Sequence, residues 1–284
     1  MMIDNKLESK DYLFQMRLPI ENIGFSYRSS NSSKGSLVNE AEILFSYLSN
    51  LSKNDCTLES ARNAVIKENI LSKRTYQTRK RCWQLLCYRY FPSKYSDIYL
   101  NPIISLYKKN VSEMLKKGLL YYHYSTSDLF AYEVTIKLIY KLLHKGFTNI
   151  SSRIVDEFLD SMAESHPEVN TWSHSTRQSL IKHYLSSLRD FGILEGKARK
   201  KIHRPRVEQA LFLYVASVLK DCGKSSRDIL VSEDFKLFLL TPAEVVNRFA
   251  EASQDNKIIF RKSGKIVSIE FPWEMVHEYI KTLG

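Results

Sequence analysis

Residues 173–205 read SHSTRQSLIKHYLSSLRDFGILEGKARKKIHRP, and this stretch decides the fold class. On a helical wheel Leu180, Ile181, Tyr184, Leu185 and Leu188 fall on one face of a helix running to Asp190. Ser175, Gln178, Ser179, Lys182, Ser186 and Arg189 fall opposite. That polar stripe holds no acid, whereas a helix needing only solubility would mix in Glu. A short apolar strand through Ile193-Leu194 follows, then the basic loop Lys197, Arg199, Lys200 and Lys201, then a strand returning toward Arg204. Helix, strand, basic loop, strand is the order of a winged helix. Its helix enters a groove while its loop grips phosphate.

The same periodicity places a helix from Leu37 (Leu37, Ala41, Leu44, Leu48, Leu51), a second over Thr57–Asn69 and a third over Thr75–Tyr90. Thr57 is an N-cap candidate, and Leu58, Ala61 and Val65 form the buried stripe of the second helix. The third helix carries Tyr76, Trp83, Leu86, Cys87 and Tyr90 on one face and ends before Pro92. The pair joined by Ile70–Arg74 forms a helix-turn-helix pattern, whose second helix opens with basic and polar residues. Lys73, Arg74 and Arg79–Arg81 can reach guanine or phosphate, Gln77 adenine, and Thr78 phosphate.

Helical spacing resumes over Ile103–Met114 and Asp128–His144, with Tyr121, Tyr122 and Tyr124 between them. Those tyrosines serve packing, or stacking on unpaired bases. A further helix spans Ser152–Ala163, followed by a loop through Pro167. The C-terminal part repeats the pattern. Pro242 opens a helix, a hairpin over Lys257–Phe271 turns at Ser263-Gly264, and a last helix spans Trp273–Leu283. The hairpin tip (Arg261, Lys262, Lys265) reads as solvated charge. The fold class is mainly α: two helical domains with helix-turn-helix and winged-helix-like elements and a small C-terminal β-hairpin. The divisions are a flexible segment 1–22, a domain 23–125 and a domain 126–284.

The chain has 284 residues, and its formal net charge of +11 is unevenly placed. Residues 69–96 carry Lys73, Arg74, Arg79, Lys80, Arg81, Arg89 and Lys94 with no acid. Residues 196–207 carry Lys197, Arg199, Lys200, Lys201, Arg204 and Arg206, again with no acid. Outside these windows basic and acidic residues nearly balance, so the excess charge marks a polyanion site. No apolar run approaches the roughly 20 residues of a membrane helix, and the charged opening segment is not a signal sequence. Cys56, Cys82, Cys87 and Cys222 lack metal spacing and read as reduced thiols of a cytoplasmic protein. The histidines are scattered, and neither a glycine-rich phosphate loop nor a nucleophile elbow appears. These features imply no enzyme, metal, cofactor or small-molecule substrate.

Gly24–Ser26, Lys34–Ala41, Glu68–Thr75 with Thr78–Arg81, Arg89-Tyr90, Trp172–Leu188, Gly192–Leu194, and the closing hairpin and helix together resemble the BrxA family of bacteriophage-exclusion (BREX) defence systems. The chain is longer than members of that family commonly are, the added length falling at residues 1–22 and 195–225. The resemblance implies a helical accessory factor of a multi-protein phage-defence system, binding double-stranded DNA and possessing no catalytic residues. The family has also been likened to RNA-binding antitermination proteins, and some members labelled as membrane proteins. The expected partners are double-stranded DNA and other BREX proteins. The alternatives are a scaffold docking on an acidic face of a larger defence enzyme, or an RNA-binding factor.

Overall fold

The structure, a computed structural model, describes residues 26–91, 98–99, 101–197 and 199–284. The expected flexible segment 1–22, together with Pro92, Lys94 and Ala198, lies outside the described residues.

Helices α1 (Val38–Ser49), α2 (Leu58–Ile66) and α3 (Tyr76–Tyr90) form a three-helix unit. Threonine hydroxyls start two of them, Thr57 accepting from the Ser60 amide (3.1 Å) and Thr75 from the Thr78 amide (3.2 Å). Leu44, Phe45 and Leu48 pack with Ala61, Val65, Trp83, Leu86 and Tyr90 in the core. Residues 67–75 separate α2 from α3, with Asn69 and Ser72 at positive φ. This connection is longer than the three or four residues of a compact helix-turn-helix. Tyr76, expected on the buried face, is half exposed because it begins α3 beyond the reach of the core.

Helix α4 (Pro102–Tyr107) leads into α5 (Glu113–Thr126), the buried spine of the molecule. Tyr121, Tyr122 and Tyr124 lie on α5 and are buried, so they pack rather than stack on bases. The Tyr121 hydroxyl donates to the Leu237 carbonyl (3.0 Å) and the Tyr122 hydroxyl to Asp234 (2.7 Å). The boundary expected near residue 125 falls in the last turn of α5. Buried residues on both sides of it belong to one hydrophobic cluster.

Asp128 caps the next helical rod by accepting from the Ala131 amide (3.0 Å). That rod comprises α6 (Leu129–Glu133), a π-helical turn Val134–Ile139, and α7 (Tyr140–His144). Gly146, at φ +85°, releases the chain into β1 (Asn149–Ile150). Then come α8 (Ser152–Met162), a 3₁₀ turn Pro167–Thr171, α9 (His174–Asp190), β2 (Leu194–Glu195) and β3 (Lys200–Ile202). The three strands form an antiparallel sheet in the order β1-β3-β2, with Asn149 opposite Lys201 and Glu195 opposite Lys201. The long helix buries Leu180, Ile181, Tyr184, Leu185 and Leu188, as its periodicity predicts.

Helix α10 (Gln209–Asp221) crosses α5, and α11 (Ser226–Leu230) and α12 (Pro242–Gln254) pack on it. Strands β4 (Ile259–Ser263) and β5 (Ile266–Glu270) pair in register with Ser263 opposite Ile266. The two-residue turn is therefore Gly264-Lys265, one position later than expected, with Gly264 supplying the positive φ of 56°. Helix α13 (Val276–Lys281) closes the chain and is shorter than the expected Trp273–Leu283.

Candidate nucleic-acid interface

The β2–β3 turn concentrates free positive charge. Lys197, Arg199 and Lys201 are exposed and make no ion pair among the described residues. Lys201 sits opposite Glu195 in register, yet the Glu195 carboxylate turns to His203 Nε2 (3.5 Å). Lys200 Nζ donates to the Lys197 carbonyl (3.0 Å) and braces the turn from inside. Gly196 makes the turn possible. Its φ is +87°, and a Cβ there would meet the Arg199 carbonyl oxygen at 2.1 Å. Arg204 is spent elsewhere: it pairs with Glu244 (2.7 Å) and contacts His144. Burial works to raise the Glu244 carboxyl, but bonds from Thr241 and the Arg204 charge outweigh it and hold the group below its usual range.

A cavity of about 830 Å³ opens beside this turn. Its walls include Arg199, Lys200 and Lys201, the start of α8 at Ser151-Ser152, β1, and Leu185 of α9. Three cations thus face the N-terminal turn of an 11-residue helix, whose amides and dipole favour an anion. Leu185 lies one turn beyond Lys182, so the middle of α9 and the root of the turn share a wall.

Along α9 the expected contact residues divide. Ser175 and Lys182 are exposed seven positions apart on one face, with Ser179 half-buried between them. The Gln178 amide donates to Asp156 (3.2 Å), and its neighbour Arg177 is clamped by Asp156 and Asp160. The adjoining face is covered by the strap of residues 29–36, in which the Ser32 carbonyl meets His183 Nδ1 (2.9 Å) and Ser36 donates to Asp190 (2.7 Å).

A family model described as BrxA matches residues 26–218. The chain belongs to the BrxA family. It is accordingly a BREX phage-defence component, and no curated protein matches it. The BrxA match takes in the three-helix unit, the α5 spine and the β1-β3-β2 sheet, and ends within α10. No helix among the described residues is long and apolar enough to cross a membrane.

The first basic window of this BrxA-family chain is less uniform than its charge suggests. Arg74 just before α3 and Gln77 and Lys80 along it are exposed, and Arg79 lies over the Tyr76 ring, 5.9 Å from its centroid. Thr78 faces the Thr75 hydroxyl (2.9 Å). Lys73 is paired with Glu40 (2.7 Å), and Arg81 Nε donates to the Ser33 hydroxyl (2.8 Å). Arg89 is 3% exposed and is no surface charge at all. It donates to the carbonyls of Ser36 (2.6 Å) and Gly35 (2.8 Å) and to Asn31 Oδ1 (2.6 Å), above the Tyr124 ring. This internal role is not legible in the sequence, because an Arg in a basic run reads as exposed.

The cavity at the start of α8 joins residues distant in sequence, and locally only Gly146, which ends a helix, and Ser151, which caps the next, mark its place.

Proposed function

We propose that this chain is a non-enzymatic, cytoplasmic double-stranded-DNA-binding component of its BREX system, working through a winged helix. Helix α6–α7, β1, α8, α9, β2 and β3 follow one another in winged-helix order. In this reading α9 lies in the major groove with Ser175, Ser179 and Lys182 toward the duplex. The β2–β3 turn is the wing, and Lys197, Arg199 and Lys201 grip phosphate. The exposed start of α3, with Gln77 and Lys80 on the helix and Arg74 just before it, is a second contact held in place by the strap.

The observation that carries the proposal is the unneutralised trio Lys197, Arg199 and Lys201 exposed on one turn, with Arg199 and Lys201 facing a helix N-terminus across an open cavity. Three exposed cations without carboxylate partners repel one another, and a polyanion relieves that repulsion. Few hydrogen-bonding side chains reach outward from α9, so phosphate contacts dominate and sequence readout is slight.

Competition among a duplex DNA, a duplex RNA of the same sequence and the single strands tests this. The DNA duplex should compete best, and reversal of Lys197, Arg199 and Lys201 to Glu should abolish the advantage. Equal competition by all four, or affinity unmoved by the reversal, would overturn it.

A further inference from the structure

On the other side of the β2–β3 turn lies a second cavity, of about 650 Å³, within the range of small-molecule sites. It sits where α5, the end of α9 and the start of α10 converge. Its walls are apolar: Met114 and Tyr121 from α5, Phe191 and Leu194 after α9, Leu211 from α10, and Phe238. The one wall hydroxyl, that of Tyr121, is already given to the Leu237 carbonyl, so the ring alone is presented.

The rim carries charge, and pairing sorts it. Glu113 is neutralised by Lys116 (2.7 Å), Arg189 by Asp190 (3.0 Å), and Glu195 faces His203. Lys117 and Arg206 make no ion pair among the described residues, although Lys117 acts electrostatically on Glu42. A histidine neutralises Glu195 only when protonated, so Lys117 and Arg206 against that one carboxylate leave the mouth with a net positive charge. An apolar well with a cationic rim fits a ligand with a flat or branched apolar body and one anionic group.

The cavity also touches both roots of the β2–β3 turn. Leu194 and Glu195 enter from β2, and His203 follows β3. The His203 amide donates to the Ile193 carbonyl (2.8 Å) and its Nδ1 faces the Gly192 carbonyl (3.1 Å), closing the turn at its base. A molecule seated here packs against that closure.

We propose that this cavity binds a small amphipathic anion and that its occupation tightens the base of the β2–β3 turn. Neither step depends on DNA binding. The probe is 8-anilinonaphthalene-1-sulfonate, titrated by fluorescence into the full chain. Saturable one-site binding is expected, and the uncharged N-phenyl-1-naphthylamine should bind about tenfold or more weaker, the value of a charge-assisted contact. K117E with R206E should weaken the sulfonate by a similar factor or more while leaving the neutral compound unchanged. M114W, at the half-exposed mouth, should reduce both. Sulfonate binding should slow amide exchange at Ile193, Ile202 and His203. Equal binding of the two compounds, or binding indifferent to all three substitutions, would overturn the ligand site. Binding with unchanged exchange at those amides would overturn the coupling.

Discussion

Arg81 of α3 and His183 of α9 hydrogen-bond neighbouring residues of one strap, the Ser33 hydroxyl and the Ser32 carbonyl. Helices from the two sequence-predicted domains are thereby fixed to the same short segment. Asn31 in that strap extends the tie, accepting from Arg89 and donating to the buried Asp128 carboxylate (2.6 Å). Burial raises the Asp128 carboxyl, and the Arg89 charge opposes that rise. The strap is therefore an internal electrostatic joint rather than a loose Ser/Asn linker.

Arg89→Ala should lower the free energy of unfolding by about 3–5 kcal/mol. It strands two carbonyls and Asn31 and removes the cation that most favours the Asp128 carboxylate. Arg74→Ala, just before the same helix, and Lys80→Ala, on its exposed face, should stay within about 0.5 kcal/mol. Urea denaturation of the three variants measures the contrast, and a small loss for Arg89→Ala would show that the joint does not carry stability.

Acid sensitivity should trace to His123. The ring is buried against the Tyr214 hydroxyl (2.6 Å), and burial pushes its pKa down to about 3. The unfolded chain binds this proton near pH 6.5 and the folded chain does not, so stability falls as pH drops below that value. The expected loss from this residue between pH 6.5 and 5 is about 2 kcal/mol. His123→Gln should flatten that part of the stability profile, and an unchanged slope in the variant would refute the assignment.

Gly196→Ala should act locally. At φ +87° with the Arg199 carbonyl where a Cβ would stand, even a methyl group opens the β2–β3 turn. Faster amide exchange in β2 and β3, weaker DNA binding and a melting temperature near that of the wild type are expected. Full DNA affinity with a displaced turn would remove that turn from the interface.

The long helix was legible because a 3.6-residue period carries its own evidence. Leu180 through Leu188 are buried where the wheel places them, and Ser173 caps the helix through the Thr176 amide (3.2 Å). The two-residue β1 was not, since its pairing with Lys200-Lys201 is a contact between distant parts of the chain. Charge was legible in sign and place but not in availability. Of the thirteen basic residues in the two windows, Arg89 is buried and Lys73 and Arg204 are paired. Gln178 faced outward on the wheel, yet Asp156 of the preceding helix takes its amide. Such partners come from tertiary packing, which a single-helix projection cannot contain.

If the β2–β3 turn neutralises DNA phosphates, duplex affinity must fall with salt. The slope of log K against log[salt] should be steep and negative, about −0.9 for each phosphate contacted. The triple variant Lys197→Glu, Arg199→Glu, Lys201→Glu should be shallower by about 3, or fail to bind measurably. A flat salt dependence in the wild type, or the same steep slope in both proteins, would contradict that role for the turn.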